Sequence, residues 1–451
     1  MNLQTLRIER LDANAASFAS DIAALRKKLS PDGSVVSERG KQLTLSVFGE
    51  ALSPQAVVER ICNDVKTQGT AAVIRYAQAL DNPEMTAESL RVPEQQLRES
   101  HAKASPEFLA TIRRIRNNIQ GFQSAILHRN VVTNPSPGVQ LEQRYTPLNR
   151  VGICVPGGAA AYPSTVLMTA IPAQCAGVPQ IAVVAPPTKL GAYNPDMQAV
   201  CYELGINEIY AVGGAQAVAS LAYGIDEIPA VDKIVGPGSL FVALAKQFVY
   251  GQVDIDSIAG PSEVVVIADE TTNPEFAASD MLAQAEHSPG ASILISWDAE
   301  ILSRIEQALA DQLTKIERSE LTLSSLNAFG ATILCSDEQQ ACEVASLIAP
   351  EHLQIATDNP RRLLAKIRNA GATFLGHFTP VALGDYAAGP SHVLPTGGTA
   401  RWASGLSSNH FLRSSSVIEF DQSALHAIAD DVALMAAKEG LTAHRRSVVI
   451  R

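Results

Sequence analysis

The sequence predicts an α/β protein of two lobes, each built on a parallel sheet covered by helices. Three observations carry this. After the turn-rich stretch Asn134-Pro135-Ser136-Pro137-Gly138, nine short, strongly apolar runs alternate with helical segments, at 151–155, 181–185, 209–212, 233–235, 264–268, 292–296, 331–335, 353–356 and 372–375. Short apolar runs separated by helices are the pattern of buried parallel strands in βαβ units. Nine strands are many for one sheet, and Gly260-Pro261 interrupts the rhythm just after Ile255 to Ala259, so two sheets are expected with a break there.

The elements follow in order. Residues 1–45 are polar and poorly patterned, with a turn at Asp32-Gly33-Ser34. Helical spacing runs from about Pro54 to Leu80 through Val57, Val58, Ile61, Val65, Val73, Ile74 and Ala77, with a break near Gly69. Ser105 as N-cap and Pro106 at the first helical position open a helix to about Phe122. Beyond about Gly397 the alternation weakens. Asp421 caps a last helix, which closes near Glu439 with Gly440 as its C-terminal glycine.

Composition bounds the function. The chain has 451 residues, 46% hydrophobic and 18% charged, which supplies more than one core and excludes disorder. At roughly 150 residues per domain this means two large domains or three ordinary ones. The net charge is −11, aromatics are only 5%, and basic residues cluster only in short runs such as His444-Arg445-Arg446 in the tail. Nucleic acid and membrane surfaces are therefore not expected partners. The most apolar stretches, 181–187 and 291–297, are far too short to span a bilayer. The six cysteines are scattered without a CxxC pair, as in a reduced protein without a zinc ribbon. No signal-like apolar segment opens the sequence, so a cytoplasmic location is expected.

In open parallel sheets ligands bind beyond the carboxyl ends of strands. Pro156-Gly157-Gly158, Gly213-Gly214-Ala215-Gln216 and Gly236-Pro237-Gly238 occupy such positions. Their glycines would let backbone N–H groups approach a phosphate. No GxGxxG or GKS/T motif is present, and ordinary tight turns compete with that reading. Seven of the nine histidines lie between 287 and 444. Gln284 and His287 stand three residues apart at the end of a helical run, so they share a face and can converge on one ion. His352 follows Glu351 directly before an apolar strand, and His392 closes a loop of small residues that begins Gly384-Asp385-Tyr386. His444 lies in the tail, five residues after Glu439. Any one of these, taken singly, is more often a hydrogen-bonded or surface histidine, and no HExxH or HxH pair exists. His101, His128, His377, His410 and His426 keep that ordinary reading.

These motifs together resemble the histidinol dehydrogenases. The resemblance rests on the signature from Ile255-Asp256-Ser257-Ile258-Ala259-Gly260-Pro261-Ser262-Glu263 through Ala283-Gln284-Ala285-Glu286-His287. It extends to Arg150-Val151-Gly152, the three glycine loops, Ala349-Pro350-Glu351-His352-Leu353, Gly384-Asp385-Tyr386-Ala387, His392-Val393-Leu394-Pro395-Thr396 and Glu439-Gly440-Leu441-Thr442-Ala443-His444. It implies two Rossmann-like lobes with small N- and C-terminal helical dimerisation parts, in a homodimer that oxidises L-histidinol to L-histidine with two NAD+ through an aldehyde. The implied Zn2+ ligands are Gln284, His287, Asp385 and His444, the last from the partner subunit. Glu351 and His352 would be the acid/base pair. Ser262, Gln284, His287, His352, Asp385, His392, Glu439 and His444 would surround the substrate, and Cys154, Gln216 and Ser239 the nucleotide. The implied division is 1–28 as a helical arm and 29–150 with 264–400 as the metal and catalytic lobe. Residues 151–263 form the nucleotide lobe, and 401–451 a C-terminal part whose tail reaches the partner.

Four positions depart from the family's common residues: Cys154 stands for Tyr, Ser239 for Asn, Val381 for Glu and Ser391 for Asn. The first three motivate an alternative, a related enzyme acting on another polyol or amino alcohol. A zinc hydrolase with Glu351 as base, or a non-catalytic binding protein, would be further alternatives.

Overall fold

The computed structural model describes residues 6–29, 38–157, 160–287 and 289–451. The expected turn at 32–34, Gly158 and Ser288 lie outside the described residues. The strands, in chain order, are β1 (Glu9–Asp12), β2 (Val131–Thr133), β3 (Val139–Pro147), β4 (Arg150–Cys154), β5 (Gln180–Ala185), β6 (Glu208–Ala211) and β7 (Lys233–Val235). They continue with β8 (Asp254–Ile255), β9 (Ser262–Ala268), β10 (Gly290–Ser296), β11 (Ala331–Leu334), β12 (His352–Ala356), β13 (Ala372–Leu375) and β14 (Leu412–Phe420).

Two parallel sheets result, one of five strands in the order β6-β5-β4-β7-β8 and one of six in the order β1-β11-β10-β9-β12-β13. All nine expected runs are strands of these sheets, and the division falls between β8 and β9. Each sheet is wound from its middle. The chain steps outward from β4 to β6, then returns to β7 and β8; it does the same from β9 to β11, then β12 and β13. The apolar runs are continuous because both faces are covered. Along β9, Val264 and Val266 enter one core while Val265 and Ile267 enter the opposite one, as a period of two requires.

Local signals act as expected at several boundaries. Gly69, at φ 57°, separates helices Pro54–Gln68 and Thr70–Leu80. The Ser105 and Asp421 side chains cap helices Pro106–Ala125 and Gln422–Lys438, and Gly440 is left-handed at φ 73°.

The packing differs from the expected grouping in three places. The helices between 54 and 125 bury Val58, Ile61, Leu97 and Ile119 in the core of the five-stranded sheet, not the six-stranded one. Their amphipathic faces require a partner surface without specifying which. The N-terminal segment is more than a helical arm: β1 pairs with β11, and helix Phe18–Leu29 buries Ile22 and Leu25 against the same sheet. The C-terminal part also contributes β14, which pairs antiparallel with β3 in a small sheet completed by β2. No helix among the described residues is long and apolar enough to cross a membrane.

Candidate active site in the cleft between the lobes

Ser262, Glu351 and His352 come together because β9 and β12 are neighbours, with His352 level with Val264. Ser262 opens β9 and His352 opens β12. The pair therefore stands at the amino edge of the six-stranded sheet, opposite to the carboxyl edge at which open parallel sheets usually bind ligands. The return helix Pro274–Ala285 brings Gln284 to the same edge. His287 lies two residues past that helix and keeps its spacing to Gln284 through a turn in which its N–H donates to the Gln284 carbonyl.

A hydrogen-bonded chain links these groups. Gln284 Nε2 donates to Ser262 Oγ at 2.6 Å, and Ser262 Oγ donates to Glu351 Oε2 at 2.5 Å. The same Glu351 oxygen accepts the Glu263 N–H at 2.9 Å. His352 Nδ1 lies 3.2 Å from the Glu263 carbonyl oxygen. A carbonyl only accepts, so Nδ1 carries the hydrogen and Nε2 keeps its lone pair. That Nε2 is 3.7 Å from Asp385 Oδ1. Asp385 sits in the short helix Ala382–Tyr386, and its carbonyl accepts from His392 Nδ1 at 2.9 Å.

Burial dominates the electrostatics. It raises the Glu351 carboxyl to about 7, against the pull of Ser262 Oγ, the Glu263 N–H and His287. It raises Glu263 to about 8, with the neighbouring Glu351 charge adding to the effect. Asp385 is raised too, by burial and then by Glu351, while His352 opposes. The imidazoles move the other way: His352 and His287 are lowered, and His392 falls to about 4. His287 is nonetheless exposed at a cavity mouth, so it is ringed by protein rather than sealed in it.

Two cavities meet the cluster. One, of about 300 Å³, is lined by His287, Glu286, Arg318 and Tyr386 from one lobe and by Tyr162 and Ser164 from the loop and helix start beyond β4. The other, of about 440 Å³, is lined by His352, His392, Phe374 and Ser391. The sequence reading missed Arg318, Tyr386 and Tyr162 as cavity residues. Only a three-dimensional cleft joins Arg318 to the rest; Tyr386 adjoined Asp385 and was within reach of the motif.

The other expected site residues are placed elsewhere. Glu439 and His444 are exposed on the C-terminal helices, and no hydrogen bond or ion pair among the described residues ties either side chain to Gln284, His287 or Asp385. Cys154 is buried at the end of β4, its thiol pushed to about 12 by burial. Gln216 is buried as well, donating to Asp81 at 3.1 Å. Ser239, which precedes helix Leu240–Val249, is exposed. Of the departures, Val381 is a core residue of the six-stranded lobe, and Ser391 Oγ donates to the Met168 carbonyl at 2.8 Å.

Residues 50–451 match the histidinol dehydrogenase family. A histidinol dehydrogenase of Rhodopirellula baltica is 64% identical over 444 residues, 98% of this chain and 96% of that protein. One of Clostridium acetobutylicum is 43% identical over 395 residues, 87% of this chain and 91% of that protein. The crystal structure of histidinol dehydrogenase from Elizabethkingia anophelis superposes with a TM-score of 0.89 at 32% identity, covering 99% of this chain and 98% of that one. Fold and relatives together define an oxidoreductase acting on alcohol and aldehyde groups of a small molecule. The chain belongs to the histidinol dehydrogenase family.

Proposed function

We propose that the chain oxidises L-histidinol to L-histidine through histidinaldehyde, passing two hydrides in turn to NAD+, as a cytoplasmic homodimer with one Zn2+ per subunit. The observation that carries this is the convergence of Ser262, Gln284, His287, Glu351, His352, Asp385 and His392 on one cleft.

A divalent cation suits this donor set. Three buried or half-buried carboxyls, Glu263, Glu351 and Asp385, crowd the cleft, and no Lys or Arg pairs with any of them among the described residues. Gln284, His287 and Asp385 would hold the ion, but among the described residues no group of three His, Cys, Asp or Glu donors closes around one. His444 of a second copy would complete the set, with Glu439 beside the substrate. The exposed apolar residues of the C-terminal helices, Val432, Leu434, Met435, Val449 and Ile450, support association through this part. Bound there, the cation would act as Lewis acid and template for an amino alcohol.

The protein's own groups then do the proton work. His352 Nε2 takes the hydroxyl proton as hydride leaves the carbinol carbon for NAD+. Glu351 takes a proton from water as that water adds to the aldehyde; the hydrate then passes the second hydride to NAD+ and its remaining hydroxyl proton, through His352 Nε2, to solvent, which gives the carboxylate. Neither the Cys154 thiol nor the Gln216 amide is open to a nucleotide, so the phosphates would meet backbone at the exposed Gly238 and Ser239.

Assay with L-histidinol and NAD+ before and after chelation tests the proposal. NADH formation is expected to be lost on chelation and restored by Zn2+. Turnover unaffected by complete metal removal would refute the zinc assignment, and a higher kcat/KM for a non-imidazole amino alcohol would displace histidinol.

A further inference from the structure

Glu263 has no role in the chemistry above, yet it touches both members of the acid/base pair. It is the second residue of β9 and completely buried. Its main-chain N–H donates to Glu351 Oε2 at 2.9 Å, and its side-chain Oε1 accepts the Glu351 main-chain N–H at 3.3 Å. Its carbonyl oxygen fixes the His352 ring through Nδ1 at 3.2 Å. The bonds to Glu351 are reciprocal, side chain of each to main chain of the other. Parallel pairing alone does not require this; it requires only that β9 and β12 lie side by side.

The side chain is costly to keep. Burying a carboxyl beside a second buried carboxyl is unfavourable whichever is ionised. Among the described residues Glu263 Oε2 is buried without a hydrogen-bond partner, and the N–H dipoles of Gly398, Glu351 and Gly397 offset part of the penalty. The next four positions, Val264 to Ile267, are apolar, as the strand's packing demands. A buried, incompletely satisfied polar group at this point calls for a role other than stability.

We infer that Glu263 is a positioning residue for the oxidation: its side chain locks the Glu351–His352 peptide segment so that Glu351 faces Ser262 and His352 presents Nε2 to the cleft. This rests on the acid/base assignment proposed above. A substitution that keeps the Oε1 acceptor should preserve the arrangement, and one that removes or withdraws it should loosen both catalytic side chains together without altering what binds substrate.

Three variants of the full-length enzyme test this: Glu263→Gln, which keeps an acceptor at the same reach; Glu263→Leu, which keeps volume without it; and Glu263→Asp, which withdraws it by one methylene. With L-histidinol and NAD+, Glu263→Gln is expected within about threefold of wild-type kcat. Glu263→Leu and Glu263→Asp should fall at least about tenfold, with KM for the alcohol within about threefold, as expected for a change felt in the transition state. Should Glu263→Leu not fold, Glu263→Asp carries the comparison. Wild-type kcat in Glu263→Asp, or equal losses in Glu263→Gln and Glu263→Asp, would overturn the inference.

A readout independent of turnover is the ¹⁵N spectrum of the His352 ring. A single Nδ1–H tautomer is expected in wild type and Glu263→Gln, and exchanging tautomers in Glu263→Asp. Identical spectra in all three would also overturn it. A wild-type enzyme inactive on histidinol would instead refute the proposed function, and the ring spectra would then decide the inference alone.

Discussion

Replacing His352 by asparagine is expected to lower kcat on L-histidinol by roughly 10²- to 10⁴-fold, the usual contribution of a positioned general base. The ring is buried, anchored through Nδ1 on the Glu263 carbonyl, and held as a neutral imidazole by its burial. Its Nε2 is thus an acceptor at neutral pH. Asparagine can reproduce the anchoring hydrogen bond but cannot carry the proton that leaves the alcohol. The loss should appear in kcat, with KM changed little, because the anchor and the surrounding cleft remain. Steady-state kinetics on a variant with wild-type circular dichroism checks this; a kcat within about threefold of wild type would remove His352 from proton transfer.

The largest stability effect is expected in the other lobe, at Lys246. Its ammonium forms an ion pair with Asp256, both side chains being 3% exposed. The pair is tied into the strand ends. Lys246 Nζ donates to the Gly236 carbonyl at 3.1 Å, and Asp256 accepts the Gly236 and Ser257 N–H groups, each at 2.6 Å. Lys246→Met would leave the Asp256 charge buried and unpaired, which costs about 3–5 kcal/mol. Adding Asp256→Asn removes the stranded charge, so the double variant should recover much of that loss. Urea unfolding followed by circular dichroism measures both. A single-variant cost below about 1 kcal/mol would show that the pair is not held in a dry interior. Because the pair anchors the turn that leads to Gly238 and Ser239, the single variant should also weaken NAD+ binding if the nucleotide docks there as proposed.

What could be read from the sequence follows from how local each signal is. The strands from β4 to β7 and from β9 to β12 were legible because burial makes them largely apolar, and the half-buried β13 because its run Ala372–Leu375 is short and mainly apolar. Helix boundaries at Ser105, Gly69 and Asp421 were legible because a cap or a left-handed glycine is chemistry within one turn. β1 was not, since Glu9-Arg10-Leu11-Asp12 is an edge strand with a solvated, charged sequence. β3 and β14 were missed for a similar reason, as both lie in a small sheet with little of its surface buried. The partner of the 54–125 helices could not be read, because an apolar helix face does not name the sheet it covers.

The site shows the same division. Gln284 with His287, and Glu351 with His352, are adjacent enough in sequence to be noticed as pairs. Their junction across β9 and β12 depends on strand order, which no local signal encodes. Glu263 was passed over because a residue at the head of an apolar strand reads as the strand's polar end. Cys154 and Gln216 were assigned by position in a motif, and the packing turns their side chains inward, away from the role that position implied.

The most direct test of the proposed function is stoichiometric. Limiting L-histidinol is incubated with the zinc-loaded enzyme and excess NAD+, and NADH and products are measured at completion. Two successive hydride transfers from one cleft predict two NADH per histidinol, with L-histidine as the product. One NADH per histidinol with release of the aldehyde, or no NADH at all, would contradict it.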